Sequence, residues 1–178
     1  MHVGGPCSPI VKVGDRVLRG QLIAEPSGLG ANIHASYTGE VTAVTETDIV
    51  IKADDKQNFD EYVKIPDTKT NLEAIAAAGV VGAGGAGFPT AVKLKTEIPQ
   101  GCFIANCAEC EPLLAHNIHQ IETDAAQLVR GVKYAMEITK APKGYIAIKP
   151  KHKKAVIELI KACRNEDNID VFRLPDMY

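Results

Sequence analysis

Two kinds of hydrophobic patterning, joined by a polar stretch, predict an α/β fold with a small all-β domain at its N-terminus. Through about residue 54 the apolar residues come in short β-branched runs punctuated by Gly, Asp and Asn, the mark of strands and tight turns. Beyond residue 70, compact apolar runs alternate with stretches whose apolar residues recur at steps of three and four. Strand, helix, strand, helix, strand in that order implies parallel strands joined by right-handed crossovers. The expected division is 1–54 for the β domain, 55–69 for a linker and 70–178 for the α/β domain.

In the first part, Val11–Pro26 alternates small apolar and polar positions around Gly14-Asp15 and Gly20, and Ile33–Asp54 continues through a turn at Thr38-Gly39 into VTAV and DIVIKA. The segment 54–70 is polar and weakly periodic, which reads as a connection. Thr70-Asn71-Leu72-Glu73 then has capping-box spacing, so a helix should start there and run to about Ala78. Pro89 suits the first turn of a second short helix over TAVKLK. CFIAN (102–106) is a compact strand. In 116–140 the residues Ile118, Ile121, Ala125, Leu128, Val132, Ala135 and Ile138 make one continuous helical stripe. Strand 144–148, amphipathic helix 151–164 and strand 169–175 follow, and the chain ends at Tyr178 without a closing helix, as though cut inside a larger domain.

Bulk properties narrow the function. The 178 residues carry a formal net charge of −2, 46% apolar and 24% charged residues, no Trp and five Cys, with a pI of about 6.2. Nothing here provides the basic footprint of a nucleic-acid binder. No run approaches the ~20 apolar residues of a membrane span, and the N-terminus lacks a signal-peptide pattern. An odd cysteine count in a chain of this length reads as reduced thiols. The expectation is a cytoplasmic protein.

The stretch GVVGAGGAG (79–87) places five glycines in nine positions and stops at Phe88-Pro89. Residues 82–87 satisfy G-x-G-x-x-G, but that motif needs a strand before it and a helix after it. A helix follows; before it lies a capped, alanine-rich helix with only Val80-Val81 as strand. A tight connection between helices is a second reading, yet such a turn requires one or two glycines. The third reading fits the glycine density better: several amides facing an anionic ligand at close range, at the N-terminus of the helix that follows. Lys93 could add a positive charge.

GAGGAGFPTAVKL resembles the flavin loop of the NADH-dehydrogenase flavoprotein family, which includes the NADH-binding subunit of respiratory complex I. It is closer still to the C subunits of Rnf-type electron-transport complexes and their soluble relatives, among them proline-reductase-associated and propanediol-utilisation proteins. ANCAECEP (105–112) resembles the family's asparagine-then-Glu-x-Glu-Pro segment. The resemblance implies FMN and NADH as cofactors. It assigns Gly82, Gly84, Gly85, Ala86, Gly87, Phe88, Lys93 and Asn106 to the flavin, and Glu109 and Glu111 to the ring or the nicotinamide ribose. The chain differs from complex I relatives at Ala83, where they carry Arg, and at Ala108, where they carry Asp. Residues 2–25 and 32–41 resemble the Rnf-type barrel-sandwich domain, a relative of lipoyl domains. The turn Gly28–Asn32, where a carrier domain would hold its acceptor lysine, has none, so a scaffold or docking role is expected of it. The implied fold is thus a barrel-sandwich domain followed by an incomplete Rossmann-like flavin domain.

Cys107-x-x-Cys110 followed by His116 and His119 has the spacing of a zinc site, and a thioredoxin-like redox pair is a further reading. A small packed residue or a flavin-proximal one is the expected role of Cys110, and no metal site is assigned. The C-x2-C-x2-C runs that hold 4Fe-4S clusters in family members do not occur in this chain, so clusters are expected only in a full-length protein. The function implied is hydride transfer from NADH to FMN, then single-electron transfer to iron–sulfur centres outside this chain, with other electron-transfer subunits or a reductase as partners. Localisation would be cytoplasmic or peripheral to a membrane complex, without direct insertion. The alternative is a non-catalytic docking module.

Overall fold

The computed structural model describes residues 2–83, 85–109 and 113–175. It divides into two compact units, 1–95 and 96–178.

In the first unit, short runs of β-branched residues separated by turns give two three-stranded antiparallel sheets. One holds β1 (Cys7–Pro9), β3 (Leu22–Pro26) and β4 (Ile33–His34). The other holds β2 (Arg16–Val17), β5 (Gly39–Val44) and β6 (Ile49–Ala53). Their inward residues Val17, Ile23, Ala35 and Val41 form the core, with Val11, Val44, Ile49 and Ile51 against it. Gly14 turns the chain at φ +89°, and its amide donates to Val41 O at 2.8 Å. Segment 55–69 contains no helix or strand, but it is tied to this unit. Val63 N donates to Arg19 O at 2.8 Å, the Arg19 guanidinium donates to Phe59 O at 2.7 Å, and the Gln57 side-chain amide bonds both N–H and C=O of Thr38.

α1 (Asn71–Ala77) starts at the predicted capping box: Glu73 N donates to Thr70 Oγ1 at 3.2 Å, and the Glu73 carboxylate accepts from Thr70 N at 3.2 Å. α2 (Thr90–Leu94) follows the glycine loop, with Pro89 immediately before its first residue.

In the second unit, β7 (Cys102–Asn106), β8 (Lys143–Ile148) and β9 (Ile169–Arg173) form a parallel sheet in that order, with α3 (His116–Thr139) and α4 (Lys153–Ala162) as crossovers. Both helices join one core with Ile146, Ile148 and Ile169, each nearly or fully inaccessible. Gly144 lets α3 approach β8: a Cβ there would stand 2.5 Å from Met136 Sδ and 3.2 Å from Val132 Cγ1.

The predicted stripe of 116–140 lies on a helix whose backbone is interrupted at one point. Asp124, at φ −148° and ψ 65°, is not helical, and α3 is two helical segments meeting there. Asp124 Oδ1 accepts from Gln127 N at 3.0 Å, the bond of an N-cap residue. The Thr123 hydroxyl donates back to His119 O at 3.0 Å, which competes with the helical ladder. Across the break the buried face continues through Ile118, Ile121, Ala125, Val129, Val132, Ala135, Met136 and Thr139, while Leu128 and Ile138 are only partly buried.

Candidate functional site

The glycine loop belongs to the first unit and is closed at its base. Val81 and Pro89 form an isolated antiparallel bridge, Gly82 N donates to Phe88 O at 3.0 Å, and Thr90 N donates to Val80 O at 2.9 Å. Beyond this neck, Ala83, Gly85 and Ala86 are exposed and Gly87 is buried. Among the described residues, the amides of Ala83, Gly85, Ala86 and Gly87 carry no hydrogen bond. Gly85 and Gly87 sit at φ +64° and +63°, the left-handed region that favours glycine. A Cβ on Gly85 would meet nothing within 4 Å among the described residues, so the space beside Gly85 is open. Lys93, exposed on α2, places Nζ 5.8 Å from the Phe88 ring centroid. Unspent amides, open room and one cation fit a phosphorylated ligand. Gly84 lies outside the described residues.

Asn106 and Glu109 belong to the second unit, in the loop leaving the carboxyl end of β7, where open parallel sheets present their ligand sites. Cys107 N donates to Ala147 O at 2.8 Å, carrying the sheet pairing one residue beyond β7. Asn106 Oδ1 accepts from Ala108 N at 3.0 Å, and its Nδ2 has no partner among the described residues. Glu109 Oε2 accepts from Asn117 Nδ2 at 2.9 Å. This loop and the α3 face around Asp124 enclose a cleft of about 450 Å³, lined by Asn106, Cys107, Glu109, Asn117, Gln120, Asp124 and Gln127 among others. Carboxylates and amides of this kind suit hydroxyl and ring-nitrogen groups; a bare phosphate would be repelled by Glu109 and Asp124. Glu111 and Cys110 lie outside the described residues.

Burial pushes the Cys107 thiol up to about 11, so it is protonated at neutral pH, whereas metal binding and thiol redox chemistry use the thiolate. His116 and His119 are exposed. Among the described residues no group of three His, Cys, Asp or Glu side chains converges on a possible metal position. No helix among them is long and apolar enough to cross a membrane.

Asn117, Gln120, Asp124 and Gln127 line the cleft without belonging to any motif that the sequence singles out. One signal for them exists: Asp124 stands three residues before Gln127, the spacing of a capping box, inside a stretch that also reads as unbroken helix.

Comparison with known proteins gives two family matches. Residues 75–178 match the Nuo51 FMN-binding domain, and residues 1–65 match the RnfC barrel sandwich hybrid domain. The chain is similar to the C subunit of the Na(+)-translocating ferredoxin:NAD(+) oxidoreductase complex of Acetobacterium woodii, with 37% identity over all of this chain and 44% of that protein. It is 35% identical to the C subunit of the proton-translocating ferredoxin:NAD(+) oxidoreductase complex of Clostridium ljungdahlii, over 99% of this chain and 42% of the relative. It is 47% identical to the cobalamin reductase PduS of Salmonella typhimurium, over 60% of this chain and 23% of the relative. The chain therefore spans less than half the length of these curated relatives.

Proposed function

The chain belongs to the Nuo51 FMN-binding domain family, joined to an RnfC barrel sandwich hybrid domain, and from that premise we propose that it is the flavin-holding part of an electron-transfer protein working between a nicotinamide and single-electron carriers. The observation that carries the reading is the bend at 82–88: a closed neck, Ala83, Gly85 and Ala86 exposed beyond it, and amides with no acceptor among the described residues. Gly82, Gly85, Ala86, Gly87 and Phe88 would hold FMN chiefly through backbone N–H groups, with Lys93 supplying charge toward the phosphate, and Gly84 completes the set by resemblance. Asn106, Glu109 and Glu111 are assigned to the ligand by resemblance; Asn106 Nδ2 has no partner among the described residues.

Bound FMN supplies the capacity to take a hydride from NADH and release electrons one at a time. The chain's own residues bind, orient and exclude water, and none is assigned a proton transfer. Names of two relatives put ferredoxin and NAD(+) at the ends of the path, and a third names cobalamin reduction. For this chain we infer the same class of chemistry, with NADH as donor and with iron–sulfur centres and further subunits lying outside this chain. A cytoplasmic position, free or peripheral to a membrane complex, goes with it.

Titration with FMN against riboflavin, followed by flavin fluorescence, tests this. Amides and Lys93 directed at the phosphate predict at least ~10-fold weaker binding of riboflavin, the value of one charge-assisted contact. Equal binding of the two, or binding of neither, contradicts the reading.

A further inference from the structure

The turn Gly28–Asn32, between β3 and β4, is where this β domain departs from a carrier, having no lysine to modify. It is also held from two directions. On one side, Gly5 N donates to Leu29 O at 3.0 Å, and Gly4, at φ +127°, lies so close that a Cβ would overlap the Leu29 carbonyl oxygen. His2 and Cys7 reach the same turn: Ala31 N donates to His2 Nε2 at 3.4 Å, and Cys7 Sγ donates to Ala31 O at 3.3 Å.

On the other side stands the end of α1. Asn32 Nδ2 donates to Ala77 O at 3.3 Å. Gly79, at φ +65°, packs its Cα on the Asn32 backbone, and a Cβ there would overlap Asn32 O and stand 3.4 Å from Asn32 Cα. From Gly79 the chain passes through Val80 and Val81 directly into the neck of the glycine loop, with Val80 N also donating to Ile75 O at 3.2 Å. Four glycines between residues 82 and 87 leave that loop little conformational preference of its own. Its shape must be imposed from the neck, and the neck hangs from Asn32.

We propose that the β3–β4 turn is the anchor of the glycine loop, with Asn32 and Gly79 as positioning residues for the ligand that loop binds; that this ligand is FMN rests on the reading above. Such an anchor lowers the ordering cost of binding, which is how preorganisation raises affinity.

A plain helix C-cap also accounts for a glycine at φ +65°, and asparagine separates the two explanations. Asn tolerates that backbone region but carries the Cβ that collides with Asn32. The variants are Gly79→Asn, Asn32→Ala and, as control, Gly14→Ala, which has a similar positive φ in open space. The first readout is amide hydrogen exchange of Gly82 and Thr90, the two donors of the neck, relative to β5–β6. Protection at these amides should fall at least ~10-fold in Gly79→Asn and about 5-fold in Asn32→Ala, the value of one modest hydrogen bond. Gly14→Ala should leave their relative protection unchanged. Unaltered protection in Gly79→Asn overturns the anchor, whatever the ligand. The second readout is FMN affinity, expected to weaken about 10-fold in Gly79→Asn. Lost protection with unchanged FMN affinity overturns the positioning role. Absence of FMN binding by the parent chain refutes the flavin assignment, while exchange still decides the anchor.

Discussion

Replacing Ala125 with proline distinguishes a helix that restarts at Asp124 from one that runs straight through it. In an uninterrupted helix, proline at the tenth residue of α3 would remove a ladder hydrogen bond and clash with the preceding turn, at a cost of about 3 kcal/mol or more. Asp124 is outside helical φ/ψ and its carboxylate caps Gln127 N at 3.0 Å. Ala125 is therefore the first residue of the second segment, where the proline ring is pre-set and its missing N–H is not needed. The expected cost of Ala125→Pro is within about 1 kcal/mol, mostly from fitting the ring where Ala125 is buried. The companion pair is Asp124→Ala, losing about 1 kcal/mol with the cap, and Asp124→Asn, losing a few tenths because Asn caps equally well. Thermal unfolding followed by circular dichroism reads these directly, since 1 kcal/mol moves the midpoint of a unit this size by about 4–8 °C. A drop of about 12 °C or more for Ala125→Pro, or no shift for Asp124→Ala, would refute the two-segment helix and with it the shape of the cleft.

Cys107 should resist alkylation at pH 8 by about 100-fold relative to an ordinary thiol of pKa 9, because burial raises its pKa to about 11 and depletes the reactive thiolate; peptide mapping after a timed iodoacetamide pulse checks this. The same shift carries a sign for stability. Below pH 9 the thiol is neutral in both folded and unfolded chains and contributes nothing. Between pH 9 and 11 the unfolded thiol ionises first, so Cys107→Ser should flatten a decline in stability that the parent shows over that window. Gly144→Ala should destabilise by about 1–3 kcal/mol in urea unfolding, since the added methyl meets Met136 Sδ and Val132 Cγ1 where α3 crosses β8. A neutral result there would mean that α3 packs further from the sheet.

Local signals carried well where a single interaction decides the outcome. Thr70-x-x-Glu73 announced a helix start because both halves of the box are written within four consecutive residues, and both bonds form. The parallel pairing of β7 with β8 and of β8 with β9 followed from the alternation of strands and helices. The break in α3 was hidden because the buried residues keep steps of three and four straight across it, through Ile121, Ala125, Val129 and Val132. Glycine density identified the loop, but its neck, set by Val81 against Pro89 and Gly82 against Phe88, depends on pairing that no periodicity reports. The hold of Asn32 on Gly79 is less legible still, since it joins two residues from separate elements through backbone contact.

The most direct measurement of the central claim is the response of the backbone amides of Ala83, Gly85, Ala86 and Gly87 in a nitrogen-resolved NMR titration with FMN. These groups have no acceptor among the described residues, so hydrogen bonding to a phosphorylated ligand should move their resonances downfield, and riboflavin should move them far less. Saturable shifts at these amides, weakened by Lys93→Ala, are the predicted result. Flavin-induced shifts elsewhere in the chain while these four stay fixed would contradict it.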